Sequence, residues 1–136
     1  MRLLVATTNP DKLREIRGLL ARLPVELLSL RDGAPVPEPE ETGATFEENA
    51  RLKARYYDAA VTRPATPGQR GPFLTVAEDS GLIVDALDGD PGVRSARFLR
   101  PDAPYPERFA EIQRRLAVRP SAPRTARFVC AVAVVH

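Results

Sequence analysis

The 136-residue chain is predicted to fold as an α/β protein, and three observations carry that reading. Short apolar, β-rich runs lie at residues 2–7, 25–30, 74–86 and 126–135. Between them lie stretches whose apolar residues recur at helical spacing, over 10–23, 45–61 and 105–118. The first two of these open on helix-start signals, Asn9-Pro10 and the capping box Thr45-Phe46-Glu47-Glu48. With 43% hydrophobic and 28% charged residues, the chain suits one globular domain over 1–136 with a real apolar core.

Residues 2–7 read as a buried strand, and Leu13, Ile16, Leu19, Leu20 and Leu23 then follow helical spacing. The joint between them is Thr7-Thr8-Asn9-Pro10-Asp11-Lys12. Asn9 or Asp11 can cap the helix and Pro10 fits its first turn. The amides and the positive helix end make a natural phosphate seat, although an ordinary capped turn reads the same way. Lys12 sits in the first turn, a poor place for a cation unless an anion is bound there. The Gly-rich pattern of a P-loop is absent.

Residues 25–30 form the second strand, and 31–41 a Pro-rich, acidic surface loop. On the helix that follows, Phe46, Asn49, Ala50, Lys53, Ala54 and Tyr57 share one face. An asparagine and a lysine on the stripe to be buried suit the wall of a polar ligand pocket, with a snorkelling lysine as the alternative. Residues 62–72 are an insertion-tolerant loop. The next stretch, LTVAEDSGLIVDALDGDPGVRSAR from Leu74, delivers Glu78, Asp79 and Ser80 to one point of a strand. Neighbouring side chains on a strand face opposite ways, so both acids reach one cation only through a kink, which Gly81 permits. An exposed hairpin turn is the alternative. Phe109, Ile112 and Leu116 then mark a helix, 119–123 a turn, and 126–135 a strand buried on both faces, with Cys130 packed inside it.

The formal charge is +2 without a basic run, which argues against a nucleic-acid surface. No segment is long and apolar enough for a signal peptide or a membrane span, so a cytoplasmic location is expected. Of the 20 basic residues only Lys12 and Lys53 are lysine. A compact ammonium facing a phosphate oxygen resists exchange for the planar guanidinium, so both are candidate phosphate contacts.

Taken in order, LLVATTNPDKLREIRGLL, EETGATFEENARLKA, AEDSGLIVDAL, GDPGVRSARF and ARFVCAVA resemble the inosine triphosphate pyrophosphatase family, the XTP/dITP diphosphatases that hydrolyse non-standard purine nucleoside triphosphates. The resemblance implies a two-lobed α/β fold on a long mixed β-sheet flanked by helices, a nucleotide cleft between lobes, a Mg²⁺ cofactor and a homodimer. It also implies that the loop from Thr7 through Thr8, Asn9, Pro10 and Asp11 to Lys12 holds the triphosphate, with Lys53 and Ser80 as further substrate contacts. Glu41 and Asp79, with Glu78 beside them, are the implied metal ligands, and Asp79 the general base. Glu78 stands where many relatives have Asp, and Thr8 where Gly is common.

The reaction implied is cleavage between the α and β phosphorus, giving a nucleoside monophosphate and pyrophosphate. Family members run on past the ARFVCA strand for roughly another third of their length, through motifs that hold the base and ribose, and none of these occurs before His136. A C-terminally truncated domain of this family is therefore expected. Two rival readings are a septum-formation-inhibitor-like pyrophosphatase, disfavoured by EETGATFEENA, and a silent nucleotide-binding form.

Overall fold

The computed structural model describes residues 1–62 and 73–136, apart from the Thr62 side chain. Of the loop expected over 62–72, Thr62 closes a helix and the rest lies outside the described residues. The elements run β1 (Arg2–Val5), α1 (Pro10–Leu20), β2 (Glu26–Ser29), α2 (Phe46–Thr62), β3 (Phe73–Val84), α3 (Tyr105–Ala117) and β4 (Ala126–Val135). They form a mixed four-stranded sheet in the order β2-β1-β3-β4, flanked by helices, as an α/β pattern requires. β1 runs parallel to both neighbours, Arg2 opposite Glu26 on one side and Phe73 on the other. Among the described residues no helix is long and apolar enough to cross a membrane.

The chain divides into two compact units, one of residues 1–79 with 131–136 and one of residues 80–130. In the first, Ala6, Ala54, Tyr57 and Ala77 form a buried cluster lined by Leu30, Val36, Ala133 and Val135. Its small side chains let α2 lie close on the strands. In the second, Val84, Ala86, Leu87, Phe98, Ile112 and Leu116 make a cluster of larger side chains. Each fully buried aliphatic residue there contributes about 1.5–3 kcal/mol.

Several expectations need correction. β3 runs unbroken through Glu78-Asp79-Ser80-Gly81, so the kink at Gly81 does not occur. Left-handed residues come later, at Asp88, Gly89 (φ 91°) and Gly92 (φ 54°), where the chain turns around the cis Asp90-Pro91 bond, and again at Leu99. On α1 the buried face holds Leu13, with Ile16 and Leu20 half-buried. Leu19 is exposed because six positions on from Leu13 carries it about 120° off that face, and Leu23 lies beyond the helix end. Phe109 is exposed rather than buried and stacks on Tyr105, with ring centres 6.0 Å apart.

β4 is the largest departure. It lies last in the strand order, so its alternate residues separate into a half-buried set and an exposed set that includes Phe128, Cys130, Val132 and Val134. An unbroken apolar run predicts burial on both faces, but this edge strand shows one of them to solvent.

Candidate functional site

The loop expected to seat phosphate follows β1 directly. Asn9 caps α1 from extended backbone (φ −75°, ψ 115°), and its Oδ1 accepts from the amides of Asp11 at 2.9 Å and Lys12 at 3.3 Å. Thr7 Oγ1 accepts from the Asn9 amide at 3.2 Å. Two of the amides expected to face an anion are thus engaged by the cap itself. Thr8, Asn9, Pro10 and Asp11 are exposed, and the Thr8 hydroxyl donates to Glu38 of the Pro-rich loop.

β3 passes beside this loop because it is longer than β1. Ala6 donates to the Val76 carbonyl at 2.8 Å, so Glu78 and Asp79 continue past the last paired residues of β1. Alternation then separates the two acids. Thr75, Ala77 and Asp79 face α2: Thr75 bonds Asp58 at 2.7 Å, Ala77 packs on Ala54 and Tyr57, and Asp79 reaches Lys53. Glu78, on the other face, forms an ion pair with Lys12. The cation at the start of α1 has its anion, a carboxylate from the neighbouring strand.

The capping box supplies the remaining geometry. Thr45 Oγ1 accepts from the Glu48 amide at 3.2 Å, and Glu48 Oε2 accepts from the amides of Ala44 at 2.7 Å and Thr45 at 3.3 Å. This fixes where the acidic turn meets α2, so Glu41 comes back over the helix. Lys53 Nζ lies 2.9 Å from Glu41 Oε1 and 2.8 Å from Asp79 Oδ1, with all three side chains largely buried. Burial alone would lower the Lys53 pKa, but hydrogen bonds to Asp79 and then Glu41, with their charges, hold it above its ordinary value. Tyr57, next on the same face, is pushed up to about 12 by burial first and then by Glu38.

The expected residues therefore fall into two groups. Glu41, Lys53 and Asp79 converge, while in the Thr7–Lys12 loop Thr8 bonds Glu38 and Lys12 pairs with Glu78. Ser80 follows Asp79 in the strand as a half-buried residue of the second unit. The sequence marks Asn49 only as part of a polar face, yet it bonds Asp79, and nothing in the sequence singles out Glu38, which accepts from Thr8. Their signals, an asparagine on a buried stripe and a glutamate between prolines, are individually weak. Among the described residues no three acidic, histidine or cysteine side chains form a metal cage by themselves. Glu41 and Asp79 share one cation, the Lys53 ammonium, and their hard carboxylate oxygens are donors of the kind a divalent cation would use.

A profile of the Ham1 family matches residues 3–136, nearly the whole chain. The chain belongs to the Ham1 family. It is 44% identical to the dITP/XTP pyrophosphatase of Exiguobacterium sibiricum, over 98% of this chain and 63% of that protein. It is 46% identical to the dITP/XTP pyrophosphatase of Geobacter sulfurreducens, over 98% and 62%. Among solved structures, a HAM1 protein from Coxiella burnetii superposes with a TM-score of 0.82 at 34% identity, covering 98% of this chain and 62% of that one. A nucleoside-triphosphatase, dITP/XTP pyrophosphatase, from Mycobacterium abscessus gives 0.72 at 40% identity, covering 99% and 65%. The family and fold expected from the five sequence stretches are those found. The chain spans about three-fifths of the length of these Ham1 relatives.

Proposed function

We propose that this chain carries the phosphate-handling residues of a pyrophosphatase that converts non-standard purine nucleoside triphosphates, dITP, ITP and XTP, into the monophosphate and pyrophosphate. The observation that supports this most is the meeting of Glu41 and Asp79 on one buried cation in a member of the Ham1 family. Asp79 is the general base: its buried carboxylate, aligned by Lys53 and Asn49, takes the proton of the attacking water. Lys12 and Lys53 balance the negative charge that shifts during cleavage between the α and β phosphorus. Glu41 and Asp79 would hold Mg²⁺, which when bound neutralises phosphate charge and orders water. Glu78 joins that set only after leaving Lys12, because strand alternation directs it away from Asp79.

Internal carboxylates hold the groups proposed to meet phosphate. Glu78 occupies the Lys12 ammonium and Glu38 the Thr8 hydroxyl, so triphosphate binding exchanges internal acids for ligand oxygens along the loop from Thr7 to Lys12. Ser80 is proposed as a further substrate contact. The same reading makes the protein a cytoplasmic homodimer, to be checked by sedimentation. The decisive assay incubates the chain with dITP, XTP, ITP, dATP or dTTP and Mg²⁺ and measures pyrophosphate. Mg²⁺-dependent pyrophosphate release from dITP, XTP and ITP is expected, with little preference over dATP, because the residues that select the base are not among residues 1–136. No pyrophosphate from any purine triphosphate, or a preference for dTTP, would overturn the assignment.

A further inference from the structure

Asn49 is fully buried, with 0% of its surface exposed, one turn before Lys53 on α2. Asparagine is a poor helix former, and helix capping does not explain it, because the Thr45 and Glu48 box already serves that end. Both ends of its carboxamide are used. Oδ1 accepts from the Gly43 amide at 2.8 Å, and Nδ2 donates to Asp79 Oδ2 at 3.3 Å. A flipped amide would set oxygen against carboxylate and N–H against N–H, so the side chain has one orientation here.

Gly43 carries the complementary feature. A Cβ at that position would stand 2.6 Å from Asn49 Oδ1, 2.8 Å from Glu48 Cβ and 2.9 Å from the Asn49 nitrogen. Two of these neighbours are fixed parts of the helix, so no side chain fits without moving the turn. The backbone that bears Glu41 comes this close in order to donate to Asn49.

We propose that Asn49 is the positioning residue of the site, a buried clamp that ties the Glu41–Gly43 turn to Asp79 so that both carboxylates meet on one cation. This rests on the pyrophosphatase reading for its consequence, but the clamp itself has a readout independent of turnover. Asn49 acts through Asp79 and Glu41 and touches no reacting atom. Replacing it leaves the catalytic groups in place and lets their separation drift, so the rate falls more than substrate affinity.

The test combines amide hydrogen exchange at Gly43 with dITP kinetics for Asn49→Ala, Asn49→Asp, Gly43→Ala and Asp79→Ala. Asn49→Ala removes both bonds and should speed Gly43 exchange at least tenfold. Asn49→Asp keeps the acceptor for Gly43 but opposes a carboxylate to Asp79. Its Gly43 protection should therefore stay within threefold of the parent while kcat drops tenfold to a hundredfold and KM changes less than threefold. Gly43→Ala should reproduce the loss in kcat by displacing the turn. Asp79→Ala removes the far anchor of the clamp and should speed Gly43 exchange several-fold across the Asn49 side chain. A Gly43 amide indifferent to both Asn49→Ala and Asp79→Ala overturns the clamp, as does a folded Asn49→Asp protein with parental kcat. If the parent releases no pyrophosphate from dITP, the functional reading falls alone, and the exchange measurements still decide the clamp. If Asn49→Ala fails to fold, Asn49→Asp and Asp79→Ala carry the decision.

Discussion

Helices α2 and α3 are built on the same amphipathic plan but bury different chemistry. The inward stripe of α3 is Ile112 and Leu116, and its charges pair with one another beside that stripe, half-buried Glu111 taking Arg114 and Arg115 at 2.7 Å each. The inward stripe of α2 includes Asn49 and Lys53 among Phe46, Ala50, Ala54 and Tyr57. A buried amide or ammonium is costly unless partnered, and here each finds its partner on β3 or on the turn before the helix. An apolar stripe of α3's kind gives stability and nothing more. The stripe that departs from that rule, with every departure matched, is the one on which the proposed chemistry rests.

The sharpest way to test this contrast is to remove one charge from the polar stripe's partner. Asp79→Asn keeps shape and an acceptor oxygen for Lys53, which also retains Glu41. Steady-state pyrophosphate release should fall by about two to four orders of magnitude, the range expected when a general base is lost, with melting temperature shifted by only a few degrees. A rate within a few-fold of the parent breaks the assignment. The counterpart on α3 is Leu116→Ala, which leaves a cavity in the second unit's core. Urea unfolding should show a loss of about 2–5 kcal/mol, while the folded fraction keeps its parental rate.

The same contrast explains what could be read from the sequence. The capping box at Thr45 and the shared face from Phe46 to Tyr57 were legible because helical periodicity and caps are local properties of the chain. So was the capped joint at Asn9. Strand alternation separates Glu78 from Asp79, and a kink at Gly81 would be needed to bring them together; β3 runs unbroken, so each acid meets its own lysine instead. The exposure of Phe128 and Val132 was not legible, since an apolar run does not say whether its strand lies at the middle or the end of a sheet. Phe109 was misplaced for a related reason: its spacing fits the buried face, yet nothing in the spacing supplies a neighbour to cover it.

A finer comparison sets the two kinds of cation against each other. Both lysines of the chain end on acids of β3, whereas Arg115 in the second unit bridges Glu111 and Asp90 with its carbon centre 4.9 Å above the Phe98 ring. Lys53→Arg puts a planar fork where a compact ammonium meets two carboxylates, and kcat/KM for dITP should fall about tenfold to a hundredfold with little change in melting. Arg115→Lys should do the reverse, costing about 0.5–1 kcal/mol of stability through the lost ring contact and leaving kinetics intact. A large melting loss for Lys53→Arg with normal kinetics would make Lys53 a structural residue and erase the distinction.

The smallest expected effect belongs to Tyr57, the apolar neighbour of Lys53 on the polar stripe, and it reads the environment of that stripe directly. Its phenol is raised to about 12, by burial first and by Glu38 next, so the folded protein keeps this proton after the unfolded chain, titrating near 10, has released it. Stability therefore falls as pH rises from 10 towards 12, because the unfolded state binds fewer protons in that window. Lys53, also raised, adds a loss of the same sign that begins only above 10.5. Tyr57→Phe has no proton to hold and should lose less stability on the alkaline side, the difference reaching about 1 kcal/mol by pH 11. Urea unfolding of both proteins at pH 8, 10 and 11 measures it. Parallel curves for parent and variant would show that neither burial nor the nearby Glu38 raises the Tyr57 phenol, and that the polar character of this face is confined to Asn49 and Lys53.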